Sequence, residues 1–209
     1  QDAVYLLMPD RFANGNPKND NVEGYIQKVD NTNLHQRQGG DIEGIIQHLD
    51  HIADLGMTAL WTTPLLDDND SLYSYHHYAT TNFYKVDPRL GTNDDFVRLV
   101  DECHRHGLKY IMDIVPNHVN PRHWWHKDLP DSSWYNQWPE FTRTNYKIVV
   151  ATDPHASKAD KDQLQKGWFD TNMADLNYNN KLLFDYVLQS YIYWAELTGL
   201  DGFRVDTYP

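Results

Sequence analysis

Short apolar runs alternate along the chain with segments of helical period. Ala3 to Met8 is an apolar run closed by Pro9 and is expected to be a buried strand. Ile42, Ile45, Ile46, Leu49, Ile52 and Leu55 then recur at helical spacing, and Gly56 stops that helix. Thr58 to Thr63 is a second strand, ending at Pro64. Thr92 has the chemistry of an N-cap for a helix running to Gly107, and Leu108 to Val115 is a third strand. Roughly sixty residues of weak periodicity follow, rich in Trp, Pro, Asn and Asp, too long for a plain connection. They read as an inserted subdomain or lid. A strong helix returns from Lys181 to Leu197, Gly199 ends it, and a fourth strand leads to Asp206.

Repeated strand–helix units with near-continuous apolar strands imply a parallel sheet covered by helices. Polar residues gather just after each strand: Asp10 and Arg11, Thr63, Asn117 and His118, then Asp206. A doubly wound sheet shares this grammar, but no Gly-rich phosphate loop follows any strand, which favours a barrel. The expected fold class is therefore α/β, the N-terminal half of a TIM (β/α)8 barrel with four parallel strands. Residues 1–118 would carry strands one to three with their helices, 119–180 the insertion after strand three, and 181–209 the next helix and strand four.

Composition narrows the function. The 209 residues carry a net charge of −12 with no basic run, which argues against a nucleic-acid partner. A neutral ligand or cation sites suit this balance. Aromatic content is 13%, with 7 Trp and 14 Tyr, and flat rings are what sugar faces stack on, though surplus aromatics also serve as core. The single Cys103 excludes an internal disulfide and falls in step with Phe96, Leu99 and Val100 on one helical face. No apolar run approaches membrane-spanning length and no signal-peptide pattern opens the sequence. The abrupt start in an apolar strand is compatible with a leader already removed.

Four stretches carry candidate chemistry. Arg204 and Asp206 are two apart, so on a strand they share a side, and a guanidinium there would hold the carboxylate ionised as a nucleophile requires. An ordinary ion pair at a strand end is the plain alternative. Asp113, Asn117 and His118 close the third strand, as catalytic groups, loop caps or a core histidine. Tyr75-His76-His77-Tyr78 lies in the long loop after strand two. No Cys or zinc-type spacing accompanies these histidines, and hydrogen bonding to a polyhydroxylated ligand with Tyr78 as stacking platform fits better. Asn14 to Asp20 alternates oxygen-bearing side chains around Gly15 and Pro17. That suits a calcium loop, or a plain Asn-Gly turn, and lacks the closing Glu of an EF-hand.

Together these pieces resemble the α-amylase family, family 13 of the glycoside hydrolases. DIVPNH (Asp113 to His118) and GFRVD (Gly202 to Asp206) are similar to its first and second signature regions. MADLN (Met173 to Asn177) is similar to the short signature of its inserted domain B. YHHYATTNFYKVDPRLGT (Tyr75 to Thr92) looks like the stretch that carries a sugar-stacking Tyr. Within the family the neopullulanase and cyclomaltodextrinase branch is the nearest likeness. The resemblance implies Asp206 as the nucleophile of a retaining mechanism, with Arg204 placing it and keeping it ionised. Asp113, His118, His76 and Tyr78 would frame the subsite of the sugar being cleaved, His118 donating to a hydroxyl. Asn117 and Asp175 match positions that often hold calcium. Asn14, Asn16, Asn19, Asp20, Gly39 and Asp41 match a second calcium site of relatives. Trp124, Trp125, Trp134, Tyr135, Trp138 and Trp168 of domain B would pack it or wall the cleft, and His123 and His126 read as local structure.

Three departures qualify the resemblance. A retaining glycosidase needs a second carboxyl about 5 Å from the nucleophile. In this family that Glu follows the fifth strand and a further Asp the seventh, so the 209 residues alone are expected to be inactive. Pro209 stands where many endo-acting relatives carry Lys, and Ala174-Asp175 blends two subfamily versions of its signature. The expected function is retaining hydrolysis of α-1,4 or α-1,6 bonds in maltodextrin, pullulan or cyclodextrin. The alternatives are a glucanotransferase of the same family and a non-catalytic, amylase-like glycan-binding ectodomain. Calcium is the expected cofactor and an α-glucan the expected partner, a homodimer is compatible, and a secreted or periplasmic setting is favoured over the cytoplasm.

Overall fold

The computed structural model describes residues 2–207, so Pro209 lies outside the described residues. In chain order, β1 (Val4–Leu7) and the single turn α1 (Pro9–Phe12) lead through a long loop to α2 (Ile42–Ile46) and α3 (Leu49–Asp54). Then come β2 (Ala59–Thr62), β3 (Leu66–Asp67), β4 (Asn82–Val86), α4 (Asn93–Arg105) and β5 (Lys109–Ile114). The long segment that follows holds β6 (His118–Val119), α5 (Val149–Thr152), α6 (Lys158–Lys166) and β7 (Ala174–Asp175). The chain ends with α7 (Lys181–Thr198) and β8 (Gly202–Val205).

The main sheet runs β1-β2-β5-β8, parallel throughout. Each strand joins at the flank of the one before and the order never reverses. That is the progression of a barrel wall; a doubly wound sheet turns back at a switch point. Helices α4 and α7 cover one face because their apolar stripes demand burial. On α4 that stripe is Phe96, Leu99, Val100 and Cys103, all fully buried, and burial pushes the Cys103 thiol up to about 12. Thr92 caps α4 with a reciprocal box: its hydroxyl accepts from the Asp95 amide (3.1 Å) and its own amide donates to the Asp95 carboxylate (2.9 Å). On α7, Asn180 caps the start and Gly199 (φ +69°) ends it. Trp194, fully buried, packs on Phe96 and donates its indole N–H to the Phe83 carbonyl at 2.8 Å.

Two expectations are corrected. The helix expected from Ile42 to Leu55 is two helices. The amide of His48 donates to Ile45 O, and its ring Nδ1 takes up the Gly44 carbonyl at 2.8 Å, the acceptor a continuous helix would offer that amide. β1 is not buried on both faces: Val4 and Leu6 are 46% and 53% exposed. They share a face with Trp61 and Ile111, which are only half-buried, and that face carries no covering layer among the described residues, whereas Leu60 and Met112 on the opposite face are buried.

The segment between β5 and α7 folds back through β6 and β7, which pair antiparallel with His118 opposite Asp175. Trp125 and Trp134 are its core, 4.8 Å apart edge to face and packed on Tyr186 of α7.

Candidate active site

The chemistry gathers at the C-terminal ends of β5 and β8. Asp113 and Arg204 are register partners on these adjacent parallel strands, so their side chains emerge side by side. Arg204 Nη1 donates to both Asp113 oxygens (3.0 and 3.2 Å) and to Asp206 Oδ1 (2.6 Å). One guanidinium nitrogen thus bridges two carboxylates. Asp113 has no side-chain exposure; it also accepts from Trp61 Nε1 (3.0 Å) and the Tyr78 hydroxyl (2.9 Å). Burial raises its carboxyl above the ordinary range, against the pull of Arg204, Trp61 and Tyr78. The Arg204 guanidinium lies 5.2 Å from the Trp61 ring centre and 5.8 Å from that of Tyr78. The Thr207 hydroxyl donates to Asp206 Oδ2 at 2.7 Å.

The loop after β2 supplies the next wall. A single 3₁₀ turn, Ser74–His76, is pinched between Tyr73 (φ 58°) and His77 (φ 62°), both left-handed. Adjacent histidines therefore face different surroundings. His77 is fully buried against Arg37 (3.1 Å) and the Leu66 carbonyl (3.1 Å). His76 accepts the Tyr78 amide at Nδ1 (2.9 Å), and burial pushes it down to about 4 despite the opposing pull of Asp70 and Asp206. A neutral ring accepting at Nδ1 keeps its proton on Nε2.

His118 is buried, stacked on Phe169 at 5.6 Å, and pushed down to about 4 by burial. Its Nε2 meets the Tyr78 carbonyl at 2.9 Å and its Nδ1 the Asn117 side-chain oxygen at 3.0 Å. In this arrangement the ring ties strand end to loop, with both nitrogens within reach of protein oxygens.

A cavity of about 340 Å³ opens between Asn117, Asp206 and Thr207 on the barrel side and Thr144, Tyr146, Ile148 and Phe169 on the other. That size falls in the range of small-molecule clefts. Sequence reasoning missed Trp61, Tyr146 and Phe169. Trp61 carried a usable hint, an indole donor near the end of an otherwise aliphatic strand; the other two sit where no periodicity points to the cleft.

The expected metal ligands fall into two groups. Asp175 accepts from the side-chain amides of Asn117 (3.2 Å) and Asn136 (2.7 Å), while burial pushes its carboxyl up to about 7. In the first loop, Asn14 Nδ2 donates to Asp20 Oδ1 at 2.8 Å. Gly39 (φ +88°) lies so close that a Cβ there would fall 2.8 Å from Asn14 Nδ2 and 3.1 Å from Asp20 Oδ1. Asn19 Oδ1 is buried with no hydrogen-bond partner. Asn16 Oδ1 accepts the Lys18 amide, and the Asp41 carboxylate accepts from the amides of Gly15, Asn16 and Gly44 at 2.7–3.0 Å.

Comparison with known proteins follows the same lines. A family model described as the α-amylase catalytic domain matches residues 6–209. A β/α-amylase of Paenibacillus polymyxa is 34% identical over 212 residues, 99% of this chain and 16% of its own length. A Bacillus cyclomaltodextrinase is 32% identical over 212 residues, 99% of this chain and 35% of its own. Among solved structures, an Anoxybacillus α-amylase superposes with a TM-score of 0.81 at 34% identity, covering 98% of this chain and 40% of that one. The chain thus spans less than half the length of these relatives.

Proposed function

The chain belongs to the α-amylase family, and from that membership we propose that its protein cleaves α-glucans with retention, through a glycosyl-enzyme formed on Asp206. The observation that carries this reading is the single Arg204 nitrogen bridging Asp113 and Asp206, a cation beside the carboxylate that must attack as an anion. Asp206 is the nucleophile and Arg204 its charge partner. Asp113, Tyr78 and His76 border the subsite of the sugar under attack, and His118 positions the loop that carries Tyr78. Residues 119–180 are read as the inserted domain B that forms the opposite wall. Retaining chemistry also needs a proton-donating carboxyl. Asp113 is held as an acceptor by three donors, so that role is assigned to neither carboxylate here, and the activity proposed is that of the whole protein.

The substrates are maltodextrin, pullulan or cyclodextrin. Transfer is the second reading, favoured by a cyclomaltodextrin glucanotransferase of Bacillus sp. (strain 1-1), 30% identical over 99% of this chain. No helix among the described residues is long and apolar enough to cross a membrane. A secreted or periplasmic setting goes with polymeric substrates, and cell fractionation tests it.

Calcium belongs to the same proposal. The orphaned Asn19 oxygen, the Asp20 carboxylate and the close approach of Gly39 fit an oxygen-rich cation site with Asn14. Asp41 and Asn16 shape that loop through its amides, and Asn117 with Asp175 forms the second candidate pair. When bound, calcium supplies a crosslink between loop segments. For the catalytic assignment, Asp206→Asn in the intact protein is expected to lower maltoheptaose turnover by about 10⁴-fold or more. Near-wild-type turnover in that variant would sink the nucleophile assignment, and the products of the parent protein separate hydrolysis from transfer.

A further inference from the structure

Two extended segments of the insertion lie side by side, around Arg143 and around Trp168. The Thr144 amide donates to the Trp168 carbonyl and the Trp168 amide to the Thr142 carbonyl, each at 2.9 Å. Side chains alternate along such a strap. Thr144, Tyr146, Gly167 and Phe169 border the cavity that holds Asp206, whereas Trp168 and Phe141 turn to the other side.

On that far side two adjoining cavities of about 340 and 220 Å³ share Trp138 and Trp168 as common walls. Their rings are fixed in place. Trp138 Nε1 donates to the Lys166 carbonyl and Trp168 Nε1 to the Asn136 carbonyl, both at 2.8 Å. Phe141, 50% exposed, meets Trp168 edge to face at 6.3 Å. Trp125 also lines the larger cavity; it is fully buried, and its indole nitrogen has no hydrogen-bond partner.

The lining selects the ligand class. In a chain of net charge −12, the larger cavity is bordered by no Asp, Glu, Lys or Arg, which disfavours charged ligands. Preset aromatic faces beside the polar side chains of Gln137 and His126 match a ligand that is apolar on its faces and hydroxylated on its edges. That is a neutral pyranose chain. We propose that this aromatic groove is a second α-glucan site, on the reverse face of the strap that walls the Asp206 cavity, and that it holds a separate stretch of the polymer. The inference rests on the α-glucan reading above.

The test uses the intact protein and two readouts: retardation in native gels containing soluble amylose, and kcat/KM on maltotriose, which is too short to occupy both sites. The parent protein is expected to be retarded. Phe141→Ala and Trp138→Ala should each weaken amylose binding by roughly fivefold while leaving kcat/KM on maltotriose within about twofold. Trp138→Phe, which keeps a ring in place, should retain most of the retardation. Phe141 is half exposed, so its alanine variant keeps the fold and the test stands even if Trp138→Ala does not. Unchanged retardation in Phe141→Ala overturns the groove, as does equal loss in Trp138→Phe and Trp138→Ala. Maltotriose hydrolysis by a parent protein that is not retarded overturns the groove alone. Absence of both hydrolysis and retardation overturns the groove together with the α-glucan reading.

Discussion

Replacing Arg204 by Met keeps much of the side chain's bulk and removes its charge, leaving Asp113 buried with only neutral donors. Asp113 has no side-chain exposure, while Arg204 is 34% exposed and Asp206 17%. Breaking a fully buried pair costs about 3–5 kcal/mol, whereas an exposed pair is worth about 1 kcal/mol at most. Water reaches the guanidinium, so the expected loss lies between these limits, about 1–3 kcal/mol at neutral pH. Trp61 and Tyr78 still donate to Asp113, which holds the cost below that of a bare buried anion.

The pH dependence has a definite sign. Burial already raises the folded-state pKa of Asp113, and Arg204 is the first of the groups opposing that rise. Without Arg204 the carboxyl moves further up. A raised folded-state pKa favours folding fully below the unfolded value, about 3.9, and that contribution is lost as pH rises through the folded value. The deficit of Arg204→Met relative to the parent should therefore be small near pH 4 and grow toward pH 7. Urea unfolding at several pH values, extrapolated linearly, measures it. Arg204→Lys should recover part of the loss, because one nitrogen contacts both carboxylates and a point charge can approximate it. A deficit below about 0.5 kcal/mol at pH 7, or one larger in acid, would refute the claim that Arg204 compensates the buried charge.

Added calcium should raise Tm, by an amount equivalent to about 2.7 kcal/mol at a hundredfold excess over Kd, and a chelator should reverse it. Asn19→Ala should abolish that response while changing Tm little in chelator, since the lost oxygen has no protein partner; an unchanged calcium response would remove Asn19 from the site. Asp87→Ala strands Arg89, which grips Asp87 through Nε (2.9 Å) and Nη2 (2.7 Å), both fully buried. The expected cost is about 3–5 kcal/mol, a drop of about 10 °C or more by calorimetry, and a drop under about 2 °C would refute the pair's importance. Thr92→Ala should cost about 1 kcal/mol in urea unfolding through loss of the α4 box, and no measurable change would show the cap to be idle.

The elements legible in the sequence were those with local causes. Thr92 and Gly107 bracket α4, Gly199 ends α7, and Pro9 and Pro64 follow the first two strands, because capping and φ restriction act within a few residues. The break in the first helix turns on a ring nitrogen taking a backbone carbonyl, which residue type alone does not announce. The two-residue strands β3, β6 and β7 exist through partners up to 57 positions away, as with His118 and Asp175, and no local pattern specifies so short a ladder. The site divides in the same way. The same-side relation of Arg204 and Asp206 follows from the two-residue period of a strand, whereas the meeting of Arg204 with Asp113 depends on register between β5 and β8. Trp61, Tyr146 and Phe169 enter the site only through tertiary placement.

Buried charge joins apolar burial in holding the cleft loops in place, and the reason lies in their backbone. The loops after β1 and β2 have almost no ladder to satisfy their carbonyls, and buried carbonyls need donors. Arginine forks supply them: Arg89 donates to the carbonyls of Gln27 and Asp68, and Arg37 to that of Ser74. Asp87 balances this positive charge and lies 3.6 Å from His77; burial alone would raise its carboxyl, but Arg89 and Arg37 hold it well below the ordinary range. The lattice explains why His77 tolerates a left-handed backbone. That turn sends its ring inward to Arg37 and leaves His76 and Tyr78 at the cleft. The platform beside Asp113 is thereby set before any ligand arrives, so its geometry is part of the folding free energy and is not drawn from binding. Asp87→Ala separates the two cases. If the lattice sets the platform, the variant should lose kcat/KM at temperatures where it is still folded; if substrate binding sets it, the folded variant should work normally and only Tm should fall.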